Sequence, residues 1–420
     1  MALTTLMAWP PRREARLSDS RGLQSADSPE SAHGRRAIRV AALIDARQVS
    51  GPGRQLAALA GCLASKGVEM LIVTFHRVGR TRAPFVDYLE RAGVQHTVIP
   101  ESGPLDWRLI LRLRRVLVHW RPDIVQTHGY KPTVLAYALR RSGARWPWIA
   151  FFHGATYENA KVRLYNWLDD RLLPGADRVI VMSRRHLDRL ARLRGKTRVV
   201  HNAAIALPEA ELGSKALPTF DTSLAGARRP RIGVVGRLSP EKGVDVFLRA
   251  CRELTQRGVA FSAIVAGDGP ERGELQTLRD ELGLRECVDF VGATSAVQSL
   301  YASLELLVIP SRSEGLPNVL LEALRADLPV VGTDVGAIPE VLDSPLAGTV
   351  VPSESPAALA DAIMRALPLK DETAARSARR AVVERFSIER RASEHLSLYG
   401  DVLTSQGSGA LPPAHASAKP

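Results

Sequence analysis

The stretch IRVAALIDARQVSGPGRQLAALAGCLASKGVEMLIVTF, residues 38–75, decides the fold. Ile38–Ile44 is a short apolar run interrupted only by Arg39, the mark of a buried strand. Ser50–Gly53 is a glycine-bearing loop, Leu56–Ser65 has helical spacing, and Gly67 ends that helix. Met70–Phe75 is a second apolar run. Strand, loop, helix, strand is the unit of a parallel sheet.

The alternation continues outward from this unit. Thr97–Ile99, Ile124–Thr127, Trp148–Phe152, Arg178–Met182 and Val199–His201 read as strands, and Trp107–His119 and Pro132–Arg141 as helices. Residues 206–230 hold Pro208, Gly213, Pro218, Gly226 and Pro230 with little periodicity, and read as a linker. Beyond it, strands at Arg231–Val235, Ala263–Ala266, Val288–Val291, Leu306–Pro310 and Val330–Thr333 alternate with helices at Val244–Arg257, Pro270–Leu282, Val297–Ala302 and Asn318–Arg325. Ala357–Ala366 and Ala374–Phe386 are further helices. The expected architecture is α/β, with two doubly wound domains at 37–205 and 231–386 and a last helix, 387–403, crossing back to the first. Residues 1–36 and 404–420 are expected to be a disordered leader and tail. Ligands of open α/β sheets bind at the carboxyl edges of the strands, so the cleft between the two domains is the expected active site.

The 420 residues are too many for one ordinary core, which agrees with two domains. No run approaches the ~18–20 apolar residues of a membrane-spanning helix. Met1–Pro10 is apolar but short and has no basic region ahead of it, so it does not read as a signal peptide. Cys62, Cys251 and Cys287 are far apart and lack metal-ligand spacing, which points to a reducing compartment. A cytoplasmic location is expected. The net charge of +13 is unevenly spread. Residues 1–204 hold 34 Lys and Arg against 16 Asp and Glu, and the remainder 23 against 28. A basic half seeks an anionic partner: nucleic acid, a membrane surface or an acidic substrate.

Two segments of the second half carry chemistry. Strand Leu306–Pro310 runs through Ser311-Arg312-Ser313-Glu314-Gly315-Leu316-Pro317-Asn318 into a helix that holds Glu322. Pro317 suits a helix start, and the exposed amides there suit a diphosphate. Glu314 lies in the loop beyond the phosphates, and Glu322 is placed for the two hydroxyls of a ribose. In Gly233-Val234-Val235-Gly236-Arg237-Leu238-Ser239-Pro240-Glu241-Lys242-Gly243, two cations follow a strand end. A guanidinium fork and an ammonium together would neutralise a departing nucleoside diphosphate.

With these phrases in order, the chain resembles glycosyltransferase family 4, a retaining family of the two-Rossmann GT-B fold. The matching phrases are Gly236-Arg237-Leu238 with Lys242-Gly243, Ala266-Gly267-Asp268-Gly269-Pro270, Val291-Gly292, Pro310-Ser311 to Glu314-Gly315, the Glu314/Glu322 pair, and Pro329-Val330-Val331 through Gly336 to Pro339-Glu340. They lie within about Ile38 to Tyr399. The resemblance implies catalytic roles for His153, Arg237, Lys242 and Glu314. Arg237 and Lys242 hold the donor diphosphate, Glu314 the donor sugar and Glu322 the ribose. Amides around Leu316, Pro317, Asn318 and Val319 meet the phosphates. Gly267, Gly269, Pro270, Val291 and Gly292 flank the base. Gly51 and Gly53 let backbone approach the phosphates, and His153 in Phe152-His153-Gly154 stands beside the donor sugar. The sequence departs from the family pattern in His201-Asn202-Ala203, in Asp327 where Gly is usual, in Ala337 and in Ser50-Gly51-Pro52-Gly53.

The resemblance further implies a nucleotide-sugar co-substrate, with no other cofactor. No Asp-x-Asp site stands out, so no catalytic metal is expected, and the leaning is toward a UDP-sugar. The acceptor side falls in the basic half. Arg108, Arg112, Arg114, Arg115 and Arg121 accompany the apolar residues of one helix, with Arg140, Arg141, Arg145, Trp146 and Trp148 nearby. Basic residues interleaved with Trp and aliphatics suit a peripheral contact with an anionic inner-leaflet surface and a lipid-linked glycan acceptor. No helix-turn-helix, zinc or stacking motif supports nucleic-acid binding. A dinucleotide fingerprint is missing its third glycine, since residue 56 is Leu. A sugar-nucleotide epimerase of the same fold is the alternative, told apart by whether product forms without an acceptor.

Overall fold

The computed structural model describes residues 36–103, 106–154, 167–168, 170–206, 229–294 and 296–407. The chain divides into Met1–Ala37 and Ile38–Pro420, and the second unit holds both sheets. The expected leader up to residue 35, linker residues 207–228 and tail residues 408–420 lie outside the described residues.

The first sheet has seven strands: β1 (Ile38–Ile44), β2 (Val68–Arg77), β3 (His96–Glu101), β4 (Ile124–His128), β5 (Trp148–Phe152), β6 (Arg178–Val181) and β7 (Thr197–Val199), in the order β3-β2-β1-β4-β5-β6-β7. The second has six: β8 (Arg231–Val235), β9 (Ser262–Ala266), β10 (Val288–Gly292), β11 (Leu306–Ile309), β12 (Val330–Thr333) and β13 (Gly348–Val351), in the order β10-β9-β8-β11-β12-β13. All pairings are parallel. Helices cover such sheets on both faces, which explains the apolar runs Val40–Ile44 of β1 and Leu306–Ile309 of β11. Val40–Leu43 and Leu306–Leu307 are fully buried.

Each sheet reverses its winding once, between β1 and β4 in the first and between β8 and β11 in the second. Loops leaving neighbouring strands at such a point diverge to opposite faces and open a crevice. The first crevice is bounded by the loop to Gly51 and by His128 at the end of β4. The second is bounded by the loops that carry Arg237–Lys242 and Ser311–Glu314.

Local readings need correction at several places. The first helix, α1 (Gly51–Ala64), already begins at Gly51, because the Ser50 hydroxyl caps it by accepting from Gly53 N at 3.3 Å and Pro52 fits the first turn. Helix α2 (Pro84–Arg91) has no clear signature in the sequence. It is short, with only a Pro in the first turn to mark it, and Phe85, Val86 and Leu89 are buried. Strand β13 and the short helices Arg184–Arg189 and Ile338–Val341 are likewise unmarked. The last strand of the first sheet is Thr197–Val199 rather than Val199–His201. The final helix spans Ile388–Gly407, so residues 404–407, read as tail, remain helical. It packs on α1: Arg391 donates to the Gln55 amide oxygen, and the Tyr399 hydroxyl donates to Gln126 Oε1 of β4 at 2.9 Å.

Asp327 has φ 59, in the left-handed region that favours glycine. Asp tolerates this region better than most residues. Its carboxylate accepts from Arg379, a fully buried arginine, at 3.0 Å.

Candidate active site

The crevice of the second sheet gathers three of the four expected catalytic side chains. Lys242 Nζ lies 2.6 Å from Glu314 Oε1, which also accepts from Ser311 Oγ at 2.8 Å. Gly236, Arg237, Lys242, Ser311, Glu314 and Val319 line one small cavity, and Arg237 is exposed beside it. Lys242 closes a one-turn helix, Pro240–Lys242, followed by Gly243 at φ 61. A side chain on Gly243 would meet Pro310 O at 2.1 Å, so glycine there lets the Lys242 turn dock onto the end of β11.

The residues expected to flank the base form the neighbouring wall. Leu238 N donates to Asp268 O at 3.0 Å, and Gly267 N to Gly292 O at 2.9 Å. A Cβ on Gly267 would strike Gly236 O at 1.7 Å and one on Gly269 would strike Leu238 O at 2.2 Å. These glycines therefore allow the loop after β9 to lie directly against the loop after β8. Gly267, Gly269 and Pro270 belong to the loop after β9, and Val291 and Gly292 end β10, next to the Arg237 loop.

Helix Asn318–Arg325 starts after Pro317 with no side-chain cap. Its first amides have no intrahelical partner, which leaves them open to an anion. Leu316 is buried and its carbonyl accepts from Asn202 Nδ2 at 3.1 Å. The Asn318 side chain points to the first domain: Oδ1 accepts from Gln55 Nε2 at 2.8 Å, and a Cβ on Gly51 would meet its Nδ2 at 2.1 Å. Gly51 therefore touches the donor loop. Gly53 does not serve as expected: its N–H is spent on Ser50, and the Phe85 ring occupies the space of its missing side chain, 2.6 Å from an ideal Cβ. Its glycine identity comes from packing against α2.

Glu322 is 4% exposed. One carboxylate oxygen takes the Arg54 guanidinium of α1, and the other accepts from the Tyr301 hydroxyl at 2.9 Å. Sequence reading missed both partners. Arg54 directly follows the glycine loop, a visible signal; Tyr301 lies in a helix with no distinguishing neighbour.

His153 directly follows β5, and its carbonyl abuts Gly315, where a Cβ would approach it to 2.6 Å. The loop of Glu314 thus sits directly on the expected histidine. A directed hydrogen-bond chain reaches that histidine. Tyr399 donates to Gln126 Oε1, so the Gln126 amide nitrogen faces His128 Nε2 at 3.2 Å and donates to it. His128 Nδ1 then carries a proton and donates to His153 Nε2 at 3.2 Å. That order leaves the proton of neutral His153 on Nδ1. Burial, reinforced by the Arg391 and His186 charges, lowers the His153 pKa to about 4. Burial also holds His128 well below the ordinary value, with His153, Arg391 and His395 acting in the same sense. Both imidazoles are neutral at pH 7.

A larger cavity of about 520 Å³ lies between His201, Glu340 and the start of the final helix. Two of its carboxylates are paired within it: Glu340 takes His201 at 2.9 Å, and Asp343 takes Arg385. It contains none of the expected donor residues.

The chain is similar to known glycosyltransferases. The family model of glycosyl transferases group 1 matches residues 229–368, and that of the glycosyl transferase 4-like domain matches residues 50–203. The lipopolysaccharide core biosynthesis mannosyltransferase LpcC of Rhizobium leguminosarum bv. viciae is 30% identical over 73% of this chain and 86% of its own. The alpha-D-kanosaminyltransferase of Streptomyces kanamyceticus is 34% identical over 41% of this chain, a match that spans about half of that relative, 46%. HepE from Anabaena, solved with UDP and glucose, superposes with a TM-score of 0.69 at 20% identity over 87% of this chain and all of its own. The fold is GT-B. The chain belongs to the glycosyl transferases group 1 family.

Proposed function

We propose that the protein is a retaining glycosyltransferase that moves a sugar from a nucleotide-diphosphate donor, a UDP-sugar by preference, to a lipid-linked or cell-surface glycan precursor. The observation that carries this reading is the grouping of Arg237, Lys242 and Glu314 at the crevice of the second sheet, facing His153 across the glycine contact at Gly315. A donor diphosphate at the Asn318 amides would draw Lys242 from Glu314 and engage Arg237. The acceptor hydroxyl attacks the anomeric carbon on the face that the phosphate leaves. The anomeric C–O bond to phosphate breaks, and the acceptor proton passes to the leaving phosphate oxygen. Arg237 and Lys242 stabilise the charge that builds there, taking the part a metal ion plays elsewhere. Neutral His153 offers Nδ1–H to a hydroxyl or ring oxygen of the sugar. LpcC, by its name, acts in lipopolysaccharide core biosynthesis, and HepE was solved with UDP; both support the choice of acceptor class and base.

The helix α3 (Arg108–Trp120) supports a membrane-surface acceptor. Leu109, Leu113, Leu117 and Trp120 are buried, while Trp107, Leu111 and Val118 are exposed at 65%, 46% and 55% with exposed Arg114 and Arg115 between them. Trp148 and Arg140 do not join this face as the sequence suggested. Trp148 is buried with its indole on Thr127, and Arg140 is paired to Asp177. Among the described residues no helix is long and apolar enough to cross a membrane.

The test is turnover of nucleotide sugars with lipid-linked acceptors, the product anomer read by NMR. Retained configuration is expected. Inverted product would overturn the retaining mechanism, and a new sugar nucleotide formed without acceptor would favour the epimerase.

A further inference from the structure

We propose that the hollow formed by Arg47, His76, Arg77, Arg80 and Arg82, at the carboxyl ends of β1 and β2, binds a phosphate or diphosphate group of the acceptor. The proposal rests on the glycosyltransferase reading and adds what its acceptor must carry. The cavity measures about 180 Å³, and no described carboxylate lines it. Arg82 is held on its outer side by Asp87 and Glu90. Arg77 is half-buried, and its Nε is buried without a hydrogen-bond partner. A buried guanidinium N–H left unpaired costs free energy, and the like charges of Arg47, Arg77 and Arg80 around one hollow repel one another. An anion relieves both. Guanidinium forks match phosphate oxygens in geometry as well as charge.

Position assigns the anion to the acceptor. The hollow lies on the same edge of the first sheet as His153, but on β2, with β1 and β4 between it and β5. Three strand steps amount to about 14 Å. A donor diphosphate at Arg237 and the Asn318 amides serves the crevice of the second sheet. The anion at Arg77 therefore sits on the acceptor, away from the sugar that is attacked. A lipid-linked diphosphate and a phosphorylated sugar share this chemistry.

The experiment is calorimetric titration of pyrophosphate into the full chain. Two sites are expected. Arg47→Ala/Arg80→Ala, both exposed positions, weakens one at least tenfold and spares the other; Arg237→Ala does the reverse. A site count that the double variant leaves unchanged overturns the proposal. A parent protein that shows only the site weakened by Arg47→Ala/Arg80→Ala, with nothing for Arg237→Ala to remove, would instead overturn the donor reading. Farnesyl diphosphate and glucose 6-phosphate are then set in competition: displacement of the Arg77-side pyrophosphate by one of them names the source, and displacement by neither overturns the assignment to an acceptor.

Discussion

The ammonium of Lys242 and the carboxylate of Glu314 meet at 2.6 Å and tie the loop after β8 to the loop after β11. Glu314 is nearly buried, Lys242 only partly so. The pair holds the cation at the place where, on our reading, phosphate arrives. Glu314 then becomes available to the sugar as Lys242 turns to the diphosphate.

Replacing Glu314 by Gln removes the competitor for Lys242. Transfer is expected to fall about 100-fold or more, the usual cost of losing one preorganised polar contact at a reacting centre. Nucleoside diphosphate affinity is expected to hold or rise. Steady-state kinetics with calorimetry checks the split; a parallel loss of both would contradict the role given to the pair.

The Arg54–Glu322 contact bridges α1 and the donor helix. Arg54→Ala leaves a buried carboxylate without its cation, and a loss of roughly 3 kcal/mol is expected, as when buried pairs are broken. Tyr301→Phe removes one neutral donor and should cost about 1 kcal/mol. Urea unfolding of the two variants gives the comparison. Equal costs would mean that Glu322 is held by packing rather than by charge.

Acid should destabilise the fold well before carboxylates protonate. His128 and His395 are buried on either side of Phe151, with ring centroids 4.4 and 5.7 Å from it. Burial, then Arg391, lowers the His395 pKa to about 3, and His128 also lies well below its ordinary value. The unfolded chain takes up protons at these histidines near pH 6.5 while the native state does not. The stability they contribute is complete above that pH and is lost as pH falls toward about 3. The slope is about 1.4 kcal/mol per pH unit for each histidine. Denaturation midpoints should drop between pH 7 and pH 5, and less so in His395→Gln. Equal midpoints at both pH values in the parent protein would refute this.

The α3 face should bind anionic vesicles at low salt and release them at high salt, since surface charge is screened. Leu111→Glu with Arg114→Glu should abolish sedimentation with vesicles. Equal binding to neutral and anionic vesicles would sink the membrane reading.

Much of the architecture was legible because parallel strands covered on both faces read as apolar runs, as in Ile38–Ile44 and Leu306–Ile309. The Arg237, Lys242 and Glu314 grouping was legible too, because each follows a strand end at a winding reversal. Long-range partners were not. Gln55 and Asn318, Arg54 and Glu322, and Gln126 and Tyr399 meet across 263, 268 and 273 residues, and nothing local marks them as pairs. Gly53 was misread for a related reason. A glycine beside a glycine loop looks like a phosphate contact until Phe85, from an unread helix, fills the space. The hollow of Arg47 and Arg77 was equally hidden, since β1 and β2 bring it together.

On our reading Arg237 and its neighbours bind the diphosphate of a nucleotide sugar. The most direct measurement is the melting temperature of the parent protein and of Arg237→Ala across a panel of UDP-, GDP-, ADP- and dTDP-sugars. At least one nucleotide sugar, from the UDP group on this account, should raise the parent's melting temperature by several degrees, and Arg237→Ala should lose that rise while melting normally without ligand. A panel with no stabilising member, or a rise that survives in Arg237→Ala, would contradict the account.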